Sequence, residues 1–257
     1  MNVAEQHTAR FRNKVPQVTL VFWAIKVMST TVGETGADYL AVHAGLGTAA
    51  TDGITLTLLV AALTLQMRMS HYVPWIYWLT VVLVSVVGTQ ITDALTDAMG
   101  VSLYVSTPIF AATLAATFAL WFTAERTLSI HTIVTARREL FYWTAILFTF
   151  ALGTAAGDLA TEAVGLGFNL GVVVFGAMIA VVTAAYYLGA NAVSCFWVGY
   201  ILTRPLGASL GDLLSQSREY GGLGLGSVYT SLGFLTVIIA LVAVLTLHRS
   251  TIMNERA

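Results

Sequence analysis

One pattern returns four times along this chain: an aromatic residue followed by Trp, a Gly ten residues after that Trp, and an Asp fifteen residues after it. The copies are Phe22-Trp23 with Gly33 and Asp38, Tyr77-Trp78 with Gly88 and Asp93, Tyr142-Trp143 with Gly153 and Asp158, and Phe196-Trp197 with Gly207 and Asp212. Seven residues beyond the Asp the first three copies have Gly45, Gly100 and Gly165, and the fourth reaches Gly222 after a short insertion. A unit repeated in tandem buries its apolar face by packing on its neighbours, so these copies belong to one body. The repeats cover approximately residues 14–69, 70–125, 138–189 and 190–249 of a single membrane domain, 1–257.

Each copy holds two apolar runs. A hydrocarbon layer of about 30 Å takes about 20 apolar residues of helix. The first runs of the copies are Pro16 to Leu40, Pro74 to Thr96, Leu140 to Glu162 and Asn191 to Leu214. The second runs are Gly53 to Met67, Tyr104 to Ala124, Leu170 to Leu188 and Tyr229 to His248. Composition agrees, with 57% hydrophobic and 10% charged residues, where soluble domains carry about 25% charged. The expected fold is an all-α membrane protein of eight transmembrane helices. Two spans per copy make the repeats parallel, related by an axis along the membrane normal. Lys26 and Glu34 inside the first span, with no small-residue cleavage site after it, argue against a secretory signal.

Charge sets the expected orientation. Arg10, Arg12, Lys14, Arg68, Arg126, Arg137, Arg138, Arg249 and Arg256 fall at one set of helix ends, and Arg218 falls at the other. The positive-inside rule puts both termini in the cytoplasm, in a bacterial inner membrane. Successive tryptophans are 55, 65 and 54 residues apart, and the excess lies between Glu125 and Glu139, a joint between two halves. The lone Cys195 allows no internal disulfide or thiolate cluster. The thin spread of basic residues offers no nucleic-acid surface.

These Trp, Gly and Asp sets resemble a family of bacterial integral membrane proteins built from four tandem copies of a two-helix, Trp-containing repeat of unknown function. The resemblance spans nearly the whole chain and implies the architecture, without implying any catalytic or binding residue.

Residues four apart share a helix face. In the first odd helix that step joins Lys26, Thr30, Glu34 and Asp38, and in the second Ser85, Thr89, Asp93 and Asp97. The third stripe is Thr154, Asp158 and Glu162; the fourth is Tyr200, Arg204, Ala208 and Asp212. Beside the stripes run small pairs: Gly33 with Ala37, Gly88 with Thr92, Gly153 with Gly157, and Gly207 with Gly211. Such pairs let membrane helices approach closely. The odd helices are therefore expected inside, stripes inward, with the even helices around them.

Ionisable groups in a membrane core face an interior or a wet cavity. Glu34, Asp38, Asp93, Asp97, Asp158, Glu162 and Asp212 make an oxygen-rich set suited to hard cations, with Lys26, Thr30, Thr89, Thr154 and Arg204 in support. The bland alternatives are turn bracing for the aspartates, internal salt bridges for Lys26 and Arg204, and an interfacial belt for the tryptophans. His43, His71, His131 and His248 match no metal spacing and read as surface residues. The glycine run 221–226 reads as a flexible connector. No cofactor motif and no hydrolase or metalloprotease signature occurs. The leading reading is a transporter of a hard cation such as Mn²⁺ or Mg²⁺, in one form proton-coupled, and not an enzyme. The alternatives are a pseudo-fourfold cation channel and a membrane enzyme or assembly factor.

Overall fold

A computed structural model describes residues 13–42 and 48–254, with the side chains of 38, 41, 42 and 250–254 outside that description. Arg10, Arg12, His43, Gly45, Arg256 and the Asp38 side chain therefore lie outside the described residues. Among the described residues the fold is all-helical. We number the long helices α1 (Leu20–Val42), α2 (Thr48–Arg68), α3 (Pro74–Asp93), α4 (Leu103–Glu125), α5 (Ala136–Asp158), α6 (Gly167–Tyr187), α7 (Ala192–Ser215) and α8 (Ser227–Asn254).

Six of these, all but α1 and α7, are long and apolar enough to cross a membrane. The two exceptions carry Lys26 with Glu34 and Arg204 with Asp212, which lower their hydropathy.

The four odd helices form a closed ring of contacts: α1 on α3, α3 on α5, α5 on α7, and α7 on α1. Each even helix packs chiefly on the odd helix of the following copy, α2 on α3, α4 on α5 and α6 on α7, while α8 closes back on α1. Hydroxyls stitch the same pairs. Thr55 Oγ1 meets Gln90 Oε1 at 2.6 Å between α2 and α3, and Thr107 Oγ1 donates to the Ala155 carbonyl at 3.1 Å between α4 and α5. Thr35 and Ser231 share a 2.6 Å bond between α1 and α8. The protein covers 67% and 61% of the apolar windows of α3 and α5 but at most 22% of those of α2, α4, α6 and α8. Leu56, Val60, Leu120, Val173, Val181, Ile239 and Val244 are accordingly exposed on the even helices.

Two local departures bear on the site. α3 and α5 do not stop at their repeat aspartates; each continues as a π-helical segment, Ala94–Ala98 and Leu159–Ala163. A π-turn widens the backbone spiral and is frequent at functional positions. Second, the glycine run after α7 is a built cap. The amides of Leu223, Gly224, Leu225 and Gly226 donate to the carbonyls of Leu213, Gln216, Leu214 and Ser215 at 2.7–3.2 Å. These are the end carbonyls that a helix cannot satisfy itself, so the expected flexible connector is corrected.

Candidate functional site

The repeat glycines are seats for side chains. A Cβ built on Gly33, Gly88, Gly153 or Gly207 would lie 2.6, 2.6, 2.5 and 2.6 Å from the Cβ of Ser85, Phe150, Arg204 and Thr30, respectively. Each of those neighbours stands seven residues after the Trp of another copy. The second copy thus presses on the first, the third on the second, the fourth on the third, and the first on the fourth. The close approach expected from small residues is realised, but as side chain against backbone. In the smaller partners of those pairs the contacts are looser: a Cβ on Gly157 would meet Pro205 at 3.4 Å, and one on Gly211 would meet Thr35 at 3.3 Å.

This packing aims the four side chains one turn further on. In the first three copies they are Glu34, Thr89 and Thr154; in the fourth the place is held by Ala208, whose small side chain leaves room. Arg204 fills it. Its guanidinium donates to Glu34 Oε2 at 2.5 Å, to the Thr30 carbonyl at 2.9 Å, to Thr154 Oγ1 at 2.7 and 3.0 Å, and to Thr89 Oγ1. The threonine hydroxyls spend their own protons on helix carbonyls, Thr89 on Ser85 at 3.2 Å and Thr154 on Phe150 at 3.1 Å. Their lone pairs are left for the cation. Every copy contributes to this node, with one buried arginine inside a shell of oxygens. Pro205 follows at once and packs against α5 beneath Gly157, removing one helix amide next to the node.

Lys26 lies on the Trp side of that node. It is 1% exposed, and among the described residues Nζ makes no hydrogen bond or ion pair. The rings of Phe150 and Tyr200 cover it at 4.1 and 4.2 Å from their centroids. The salt bridge expected for Lys26 is thus absent among the described residues, whereas the one expected for Arg204 is present with Glu34. Beyond Lys26 the aromatic residues preceding the repeat tryptophans meet. Tyr77 and Tyr142 share a 2.5 Å bond between their hydroxyls, and Phe22 packs on Phe196 with centroids 6.1 Å apart. Trp78, Trp143 and Trp197 are buried in this cluster, and Trp23 is partly covered. An interfacial belt is therefore the wrong reading of Trp78, Trp143 and Trp197. Their flat rings close the ring of helices at that end.

On the other side stand the acids. Asp212 is buried, Asp93 and Asp158 are half-buried, and Asp97 and Glu162 are exposed. Asp158 lies within electrostatic range of Glu34, Asp93, Glu162 and Arg204, so the first three copies do bring acids together there. Glu162 is in range of Glu34 and Asp97. Neither Asp93 nor Asp158 makes a side-chain cap where the π-segment begins. Among the described residues no three His, Cys, Asp or Glu side chains are grouped to hold one metal ion.

A family described as Repeat of Unknown Function (DUF347) matches this chain at residues 21–72, 76–127, 141–190 and 195–251. The chain belongs to this family. No curated protein and no solved structure matches it. Each DUF347 copy carries the aromatic-Trp pair, the seating glycine and the repeat aspartate fifteen residues after the Trp. The copies differ at the residue directly after the glycine seat, Glu34, Thr89, Thr154 and Ala208 in turn, and the first three of these meet Arg204 at the node.

A second buried pair was missed from sequence. Lys14 donates to Glu139 Oε2 at 2.5 Å and to the Met67 carbonyl at 2.9 Å, and Gln66 Nε2 donates to Glu139 Oε1 at 3.0 Å. Asn13 joins the same clasp: its Oδ1 accepts from the Ile133 amide at 3.1 Å, and its carbonyl accepts from the Tyr72 amide at 3.1 Å. The clasp ties the N-terminal segment to α2, α5 and the joint between halves. Its only sequence signal was that Lys14 and Glu139 both border apolar runs. At this end His71 is held below the ordinary imidazole range by partial burial and by the nearby Arg249 guanidinium.

Proposed function

We propose that this chain is a membrane transporter of a small hard cation, and not an enzyme, in which Glu34 and the repeat aspartates take up the ion. The observation that carries the reading is the oxygen shell around Arg204. A carboxylate, two threonine hydroxyls and a backbone carbonyl surround one buried positive group, which is the ligand chemistry hard cations prefer. Arg204 is then the resident counter-ion of a cation site, displaced when the transported ion arrives. The acids beyond it form an approach that concentrates cations. Their spread along the mouth suits a hydrated ion, Mn²⁺ or Mg²⁺ among the divalents.

In this reading all eight helices cross a bacterial inner membrane, both termini are cytoplasmic, the four copies run parallel, the odd helices are inner and the even helices face lipid. The bundle needs neither cofactor nor nucleic acid. Cyclic closure of the four copies also favours a second reading, a pseudo-fourfold channel, in which Arg204 would be the plug.

Uptake of Mn²⁺, Mg²⁺ and Na⁺ by proteoliposomes containing the purified protein tests the proposal. Wild-type protein is expected to carry at least one of them. Asp158→Asn, and the paired variant Glu34→Gln with Arg204→Met, are expected to lose that flux while eluting as single species in detergent. Absence of wild-type flux for every ion overturns the transporter, and unitary currents in planar bilayers would replace the carrier with the channel.

A further inference from the structure

Lys26 is the second buried cation inside the ring, and cation binding at Glu34 gives it no direct task. Its charge has no anionic partner among the described residues, and its near neighbours are two ring faces. Arg204 on α7 is close enough to repel it. Tyr200 on α7 is the titratable group against it, and α5 offers Phe150. The titratable groups of the other packed helices are Tyr77 and Asp93 on α3, Asp52 and Arg68 on α2, and Tyr229, His248 and Arg249 on α8. Glu34, eight residues along its own helix, is engaged by Arg204.

Two like charges enclosed in a low-dielectric space, with Glu34 already bonded to Arg204, leave no room for a third. A guanidinium keeps its proton under all ordinary conditions, whereas a lysine ammonium releases one readily when its surroundings turn against the charge. We infer that Lys26 is the coupling residue of the bundle: a cation arriving at Glu34 expels the Lys26 proton, and its departure lets the proton return. The N–H bond of the ammonium breaks, the amine keeps the electron pair, and water takes the proton; the reverse step returns a proton from water to the amine. Because linkage is reciprocal, protonation of Lys26 also weakens cation binding. Cation and proton are exchanged, and the direction of one gradient drives the other. This inference rests on the transport reading.

The test uses full-length protein in liposomes loaded with a pH-sensitive dye, with membrane voltage clamped by K⁺ and valinomycin and Mn²⁺, Mg²⁺ or Na⁺ as the probe. Wild-type protein is expected to move protons against the entering cation. In Lys26→Met, permanently neutral, downhill cation entry continues while the accompanying proton movement falls by about tenfold or more, since no side chain remains there to carry a proton. In Lys26→Arg, permanently charged, both movements fall by a comparable factor. The opposite behaviour of the two variants separates a coupling role from a folding defect. Proton movement that persists in Lys26→Met, or loss of entry in both variants, overturns the assignment and leaves the transport reading standing. Absence of any wild-type cation flux overturns both.

Discussion

Arg204 donates to Glu34 across 2.5 Å between side chains that are 1% and 9% exposed, joining the fourth copy of the repeat to the first. A pair so deeply covered adds little net stability while intact, because desolvating both charges offsets their attraction. Its strength shows when one partner is lost. The remaining charge then sits among threonines and a phenyl ring without compensation.

Glu34→Gln alone is therefore expected to destabilise the protein by about 3–5 kcal/mol. The paired variant Glu34→Gln with Arg204→Met removes the charge together with its partner and should recover most of that loss. Thermal unfolding of the three proteins in one detergent checks this. A single variant as stable as wild type would mean that Arg204 finds another acid.

The glycine seats make a graded prediction. Gly88→Ala and Gly153→Ala place a methyl 2.5–2.6 Å from the Cβ of Phe150 and Arg204. Overpacking of this kind costs about 1–3 kcal/mol. Gly176→Ala meets nothing within 4 Å and should be neutral or slightly stabilising, since alanine is the better helix former by about 1 kcal/mol. Unfolding midpoints in detergent should fall for the first two variants and hold or rise for the third.

Tyr77 and Tyr142 are both fully covered and bond each other. Tyr77→Phe leaves the Tyr142 hydroxyl buried without its partner, a loss of about 1–3 kcal/mol. Replacing both by Phe removes both polar groups and should be milder than the single change. A double-mutant cycle on unfolding free energies measures the difference directly.

The clasp of Lys14 and Glu139 predicts a proteolytic signature. Lys14 is 7% exposed and held by Glu139, so trypsin is expected to spare the bond after it. Glu139→Ala frees the ammonium, and cleavage after Lys14 should accelerate, read by mass spectrometry of timed digests. An unchanged digest would show that Asn13 and the Met67 carbonyl hold the segment without Glu139.

Much of the framework was legible beforehand. The helical runs, the four copies and the step-of-four stripes are local regularities, and a helix expresses them wherever it is placed. The resemblance to a Trp-containing repeat family was legible for the same reason. Less accessible was the role of each marked residue. Trp78 and Trp143 looked interfacial because they lie near helix ends, yet neighbouring helices cover them. Lys26 and Arg204 looked like equivalent internal cations, but only Arg204 has a carboxylate within reach among the described residues. The run after α7 looked loose because glycine is permissive, and permissive backbone is what lets its amides turn onto the carbonyls of Leu213 to Gln216.

By itself, then, the sequence determined four apolar two-helix units, each with a glycine, an aspartate and a polar stripe, because hydropathy and helical period depend only on neighbours in the chain. Tertiary structure alone decided that the seat on Gly153 receives Arg204 and that its guanidinium meets Thr30, Glu34, Thr89 and Thr154 at one node. Those partners are 50 to 174 residues apart, and their meeting depends on the rotation and depth at which helices pack. The one position where the fourth copy has alanine in place of a polar side chain is what lets a single arginine answer the other three.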